Sequence, residues 1–207
     1  MIAIADYGVG NIFSLKRSLE YLGVDSILTD DPKVFAQAEK LILPGVGAFP
    51  DAAKKLEEKG FTETIKEEAK KGKPILGICL GMQLLLDEGM EYGRTNGLGL
   101  IPGSAIDMKP RLERKGLKTP QMGWNGLIFP EEKERDSLFK NVDEGEFVYF
   151  VHSFWGDVKR ESLIAYTDYG FDVTAAIRKD NVMGVQFHPE KSGKIGLKIL
   201  ENFAKEV

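Results

Sequence analysis

Short apolar runs alternate with amphipathic stretches up to about residue 90. Ile2–Ala5, Val24–Leu28, Lys40–Leu43 and Pro74–Ile78 carry almost no polar positions. That is the pattern of strands covered on both faces. Between the first two runs, Ile12, Leu15, Leu19 and Leu22 recur at helical spacing, with Asn11 placed as a cap and Gly23 as a stop. Thr29–Pro32 reads as a turn. Pro50 and Asp51 open a helical region that runs through Leu56 and, after Gly60, through Phe61, Ile65 and Ala69. Leu80 to Glu88 reads as another helix. The alternation predicts an α/β fold: a doubly wound, mostly parallel central sheet with helices on both faces.

Beyond residue 90 the texture changes. Glycines recur at 93, 97, 99 and 103, and apolar residues come in short runs at Ala105–Met108, Leu127–Phe129 and Phe147–Phe154. These predict antiparallel or mixed strands added to the parallel core. Asn181–Phe187 is a last apolar strand. A C-terminal helix follows, capped by Ser192 and buried through Ile195, Ile199 and Phe203.

Composition narrows the classes. The 207 residues suit one domain, 1–207, with a sizeable core. A net charge of −4 argues against general binding to nucleic acid or an anionic membrane. No apolar run approaches a membrane span, and the start lacks the basic, then apolar, order of a signal peptide. The lone cysteine excludes an intrachain disulfide and points to a reducing compartment, the cytoplasm by default. With only two histidines beside it, a structural zinc site is not expected.

The candidate chemistry lies at the ends of the apolar runs. Gly77-Ile-Cys79-Leu-Gly81 has the spacing of a nucleophile elbow in its cysteine form. A sharp strand-to-helix turn needs small neighbours two residues either side of the nucleophile. Placement at a helix N-terminus would favour the thiolate. The same residues also suit a buried structural cysteine with glycines for close packing. Tyr7-Gly-Val-Gly10-Asn11 follows a strand, but a dinucleotide fingerprint would need glycine at Phe13. Pro44-Gly45-Val46-Gly47 reads either as a plain turn or as a loop turning a backbone N–H toward an oxyanion. In His188-Pro-Glu190 the residue before proline is extended, so Glu190 can reach the imidazole and fix its tautomer. His152 has no such neighbour and reads as structural. Lys109, Arg111, Arg114, Lys115 and Lys118 read as a solvated loop, and Trp124 lies in the loop after it. Elbow, glycine loop and histidine–carboxylate pair together make a cysteine acyl-transfer site: Cys79 attacks, His188 shuttles the proton and Glu190 orients it.

On Gly77–Gln83 and His188–Glu190, the chain resembles the triad class of glutamine amidotransferases. Tyr7–Asn11, Pro44–Phe49, Met122–Asn125, Tyr149–Ser153 and His188–Ser192 make it similar to one branch of that class. This branch comprises the glutaminase subunits of histidine biosynthesis, and the likeness runs from residue 2 to about residue 203. Gln121 stands where histidine is commoner in the branch, and Phe154 where tyrosine is. The resemblance implies hydrolysis of glutamine through a thioester on Cys79. The N–H of Leu80 and one from the Gly45–Gly47 loop (Val46 or Gly47) would form the oxyanion hole. Gln83, Gly45 and Ser153 would contact glutamine. It also implies a heterodimer with a separate (β/α)8-barrel cyclase that receives the ammonia. Asn11, Lys118, Trp124 and Lys191 would lie in the interface. No cofactor, metal, nucleic acid or membrane is implied. The alternatives are a glutaminase of another pathway, such as pyridoxal phosphate synthesis, a cysteine peptidase of similar fold, or a glutamine-binding regulatory module.

Overall fold

In the computed structural model, which describes residues 1–207, every apolar run of the first part becomes a strand. In chain order the elements are β1 (Ile2–Ala5), α1 (Ile12–Tyr21), β2 (Ser26–Thr29), α2 (Pro32–Gln37), β3 (Lys40–Gly45), α3 (Phe49–Glu58), α4 (Phe61–Lys70), β4 (Ile75–Cys79) and α5 (Leu80–Leu84). There follow β5 (Leu86–Gly89), β6 (Thr95–Asn96), β7 (Ile101–Asp107), α6 (Lys109–Glu113), β8 (Gln121–Gly126), β9 (Phe147–His152) and β10 (Phe154–Val158). The chain closes with β11 (Leu163–Asp168), β12 (Asp172–Lys179), β13 (Val182–Val185) and α7 (Gly193–Lys205).

The main sheet has the order β11-β12-β13-β4-β3-β1-β2. Its strands from β13 to β2 pair in parallel, and β11 and β12 extend it in antiparallel fashion. Side chains alternate across the sheet, so one strand feeds two cores. Ile2 and Ile4 join Leu15, Leu19, Ile199 and Phe203 under α1 and α7. Ala3 and Ala5 join Phe35, Phe49, Phe61 and Ile65 under α2, α3 and α4. A second sheet, β10-β7-β5-β6, and a separate two-stranded ribbon, β8–β9, carry much of the second half.

The structure corrects several expectations. The helix after Cys79 stops at Leu84, and Leu86–Gly89 is a strand. Backbone N–H groups of Leu98, Leu100 and Ile101 take the carbonyls of Leu84 and Leu85, so tertiary pairing overrides local helix preference. Met122–Asn125 is not loop but strand, in β8. Leu127–Phe129 is not a strand; only Ile128 forms an isolated bridge, to Tyr166. The run Phe147–Phe154 breaks at Ser153, because β9 pairs with β8 while β10 pairs with β7. Helix α2 and strands β11 and β12 go unread in the sequence, although Leu163–Tyr166 and Val173–Ile177 are largely apolar. Asn11 and Ser192 occupy cap positions, yet neither side chain caps its helix.

Helix α5 lies so close to β3 and β4 that side chains are excluded between them. A methyl group on Gly81 would come within 1.9 Å of the Leu43 carbonyl oxygen, and one on Gly77 within 2.6 Å of the Gly81 oxygen. Gly45 is equally confined, 2.7 Å from the Gly81 nitrogen by the same construction. Both obstacles are backbone, which cannot swing aside. Gly81→Ala is therefore expected to cost about 3 kcal/mol or more, measured by urea unfolding.

Candidate active site

The strand-to-helix turn places Cys79 at φ 55°, ψ −112°, a region that costs a non-glycine residue about 1–3 kcal/mol. The surrounding glycines let β3 and α5 close around this turn, as the elbow reading requires. The thiol is almost fully buried and unpaired. Since α5 has only five residues, the helix dipole acting on the sulfur is smaller than the longer predicted helix implied.

His188 follows β13, the strand beside β4, so both residues arrive at the same edge of the sheet. Its Nδ1 meets Glu190 Oε1 at 2.8 Å, as the His-Pro-Glu spacing predicts. Asn11 Nδ2 donates to the same carboxylate oxygen at 3.2 Å. The side chain expected to cap α1 is thus a third partner of the pair. Ser192 Oγ donates to the His188 carbonyl at 2.6 Å and accepts the Tyr149 N–H at 2.9 Å. The imidazole Nε2 is buried without a hydrogen-bond partner in this resting geometry. Burial alone would lower the His188 pKa. The proximity of Cys79 and the pairing with Glu190 outweigh it and raise the pKa to about 9. At neutral pH the ring therefore carries a proton to give away.

Cys79 and His188 share a cavity of about 350 Å³ with Val46, Gly47, Leu80, Gln83, Glu91, Ser153 and Lys191. Most of the sequence-predicted site residues meet there. Gly45 does not: it is buried behind the cavity, packed on Gly81. Gly47 has φ +97° with open space around it, so here glycine serves conformation rather than packing. Tyr7 is buried and donates to the Pro44 carbonyl at 2.7 Å, which ties the first loop to the glycine loop and removes Tyr7 from any surface. Burial, with the charge of Cys79 second, pushes the Tyr7 pKa up. A somewhat larger groove, about 410 Å³, lies over α3 and α4 and holds no nucleophile.

Sequence reasoning missed two residues. Glu91 lines the cavity and accepts the Phe49 N–H at 2.7 Å; no motif marks it, although an acidic residue soon after the elbow is a weak cue. Gln186 is fully buried, with its Nε2 3.7 Å from the Cys79 sulfur; it directly precedes Phe187-His188, within a run read only as strand. His152, expected to be structural, is buried between the Phe154 carbonyl at 2.7 Å and Gln121 at 3.1 Å. Burial, and secondly the charge on His188, lower its pKa to about 4 against the opposing Phe154 hydrogen bond. Of the predicted interface residues, Trp124 is 51% exposed, rather than filling the core, and stands edge-on to Tyr149. Lys191 and Lys118 are exposed, and Asn11 is half-buried. The basic stretch contains α6, and its five cations are solvent-exposed while Leu112 is buried. Lys109 lies 3.7 Å from Glu113, and Arg111 lies over the Trp155 and Phe171 rings.

A nucleophile elbow and a histidine–carboxylate pair on adjacent parallel strands define a cysteine acyl-transfer class of α/β protein. The glutamine amidotransferase class-I family model matches residues 3–207, and the chain belongs to that family. It is 48% identical over 206 residues to the imidazole glycerol phosphate synthase subunit HisH of Geobacter metallireducens, covering 98% of this chain and 97% of that protein. The subunit of the same name from Methanothermobacter thermautotrophicus is 47% identical over 205 residues, covering 99% and 98%. A crystal structure of a glutamine amidotransferase shares the fold at a TM-score of 0.73 and 17% identity, covering 98% of each chain. The structure of PurLQS from Thermotoga maritima does so at 0.69 and 22%, covering 98% of this chain and 96% of that one.

His152 gives a prediction of definite sign. Its folded-state pKa lies below the ordinary histidine value, so its neutral form stabilises the fold above about pH 6.5, and that contribution is lost as pH falls to about 4. Over this window the chain should lose about 3 kcal/mol more stability than His152→Asn, measured by urea unfolding at each pH.

Proposed function

We propose that this chain is the glutaminase subunit of an imidazole glycerol phosphate synthase. The carrying observation is the meeting of Cys79 and His188 at one cavity, with Glu190 held on the far nitrogen of His188, in a chain nearly half identical to HisH subunits over its whole length. Cys79 attacks the side-chain carboxamide of glutamine. The oxyanion forms opposite the cavity rim, where the N–H of Leu80 and one from Val46–Gly47 would receive it. His188, charged at rest, gives its proton to the departing ammonia, then takes one from the water that cleaves the thioester to glutamate. Glu190 holds the tautomer throughout, steadied by Asn11.

The other end of the cavity suits the amino acid. Gln83 spends its amide nitrogen on the Phe154 carbonyl and on Gln186, at 2.9 and 3.0 Å. It therefore has only its oxygen to offer a ligand. With the Glu91 carboxylate this makes an acceptor-lined region for the α-ammonium of glutamine. Ser153 also lines this cavity.

Ammonia passes to a separate (β/α)8-barrel cyclase. That subunit uses it to convert a phosphoribulosyl intermediate to imidazole glycerol phosphate and an aminoimidazole carboxamide ribotide. The ribbon β8–β9 supplies a docking face. In its register Met122 faces Val151, Trp124 faces Tyr149 and Gly126 faces Phe147, and these residues share the outward side. Met122, Trp124 and Phe147 are 63%, 51% and 56% exposed, a large apolar area beside the cavity mouth. Lys191 and Asn11 lie on the same edge, and Lys118 sits at the start of the ribbon. The single unpaired thiol fits a reducing cytoplasm.

Four results are expected. Mixing the chain with a cyclase subunit and the cyclase's ligand should raise glutamate release far above that of the chain alone; a chain already at full rate would remove the coupling to a partner. Cys79→Ser should abolish glutamate release with the fold intact, and Glu190→Gln should lower turnover by about 10- to 10⁴-fold with little change in KM. Trp124→Asp should weaken binding to the cyclase at least about tenfold in titration calorimetry, without altering the chain's own unfolding midpoint.

A further inference from the structure

Gln186 lies just beyond β13, two residues before His188, and is fully buried. Its carboxamide touches two groups of the site: Nε2 lies 3.7 Å from the Cys79 sulfur, and Oε1 lies 3.0 Å from Gln83 Nε2. The two ends of a carboxamide are distinguished by their partners, and here the partners leave one solution. The Phe154 carbonyl oxygen can only accept, and the end of the Gln83 amide sits 2.9 Å from it. That end is therefore the nitrogen. The same nitrogen reaches Gln186, which must present its oxygen there. The Gln186 nitrogen is left facing sulfur. A backbone carbonyl on β10 thus fixes, through two buried side chains, which atom meets the nucleophile.

We propose that Gln186 is a further catalytic residue, whose carboxamide N–H donates to the Cys79 sulfur and favours the thiolate over the thiol. A hydrogen bond to a charged acceptor is roughly twice as strong as one to a neutral acceptor, and this one lies in a largely water-excluded site. The donor carries no net charge, so it supports the thiolate without repelling the protonated His188. The proton that leaves sulfur goes to the imidazole Nε2, which has no other partner. No bond to Gln186 forms or breaks: when the sulfur attacks, the N–H loses a charged acceptor and keeps its place. Gln186 also holds Gln83, so a single residue joins the nucleophile to the substrate-facing amide.

The proposal rests on Cys79 being the nucleophile, and its test needs no glutamine. Gln186→Met keeps the side-chain volume and removes the donor. At neutral pH its Cys79 should react about tenfold more slowly with iodoacetamide than the wild type, with the gap closing toward alkaline pH as the thiol ionises in both proteins. Superimposable alkylation profiles would overturn the assignment, since a purely structural role changes stability and not the pH profile. Should the variant fold poorly, the wild-type chain gives the answer by nuclear magnetic resonance. The Gln186 side-chain amide proton should move downfield with the same midpoint as the ultraviolet absorbance of the Cys79 thiolate, and a stationary resonance would overturn it. Glutamate release by the wild type with its partner reports separately on the glutaminase reading.

Discussion

The approach of α5 to β3 and β4 is the constraint on which the rest of the site depends. Backbone meets backbone at Gly45, Gly77 and Gly81, with no room for a single methyl group. That closeness holds Cys79 in a strained conformation, which the two cores on either side of the sheet can sustain because each is broad and well filled. It also sets the sulfur at the sheet edge where β13 delivers Gln186 and His188. Relaxing the turn would move the sulfur away from the groups gathered around it.

The two buried histidines show how neighbours decide a charge. His188 and His152 both line the cavity and both lose solvent. His188 has a carboxylate and a thiol to pair with and keeps its proton to about pH 9. His152 has only a carbonyl and a carboxamide, and its pKa falls to about 4. Its Nδ1 faces the Phe154 carbonyl, and its Nε2 faces the Gln121 carboxamide oxygen, whose nitrogen donates to Asn125 Oδ1 at 2.9 Å. The cavity thus holds one imidazolium, on the histidine proposed to shuttle the proton.

Much of this was legible in the chain. The parallel strands stood out because strands buried on both faces leave wholly apolar runs, and the elbow because its glycines are required by steric exclusion. His188 and Glu190 were readable because the proline between them restricts the backbone. What escaped the sequence was set by long-range partners. Helix α5 is cut short by hydrogen bonds from residues 98–101, and Asn11 abandons its cap for a carboxylate 179 positions away. The half-buried β11, the short α2, and the roles of Glu91 and Gln186 likewise depend on what the fold brings beside them. No local pattern records such partners.

Ribbon β8–β9 pairs strand to strand with neither sheet, yet the loop that carries His188 is fastened to it. Tyr149 accepts the His188 N–H at 2.9 Å and gives its own N–H to Ser192 at 2.9 Å, both through backbone atoms. Its side chain, meanwhile, stands with Trp124 on the ribbon's outward side. The His188 loop is therefore mounted on a lever whose free face is open to solvent. A push on that face reaches the His188 backbone twice, directly through the Tyr149 carbonyl and again through the short Ser192 hydroxyl.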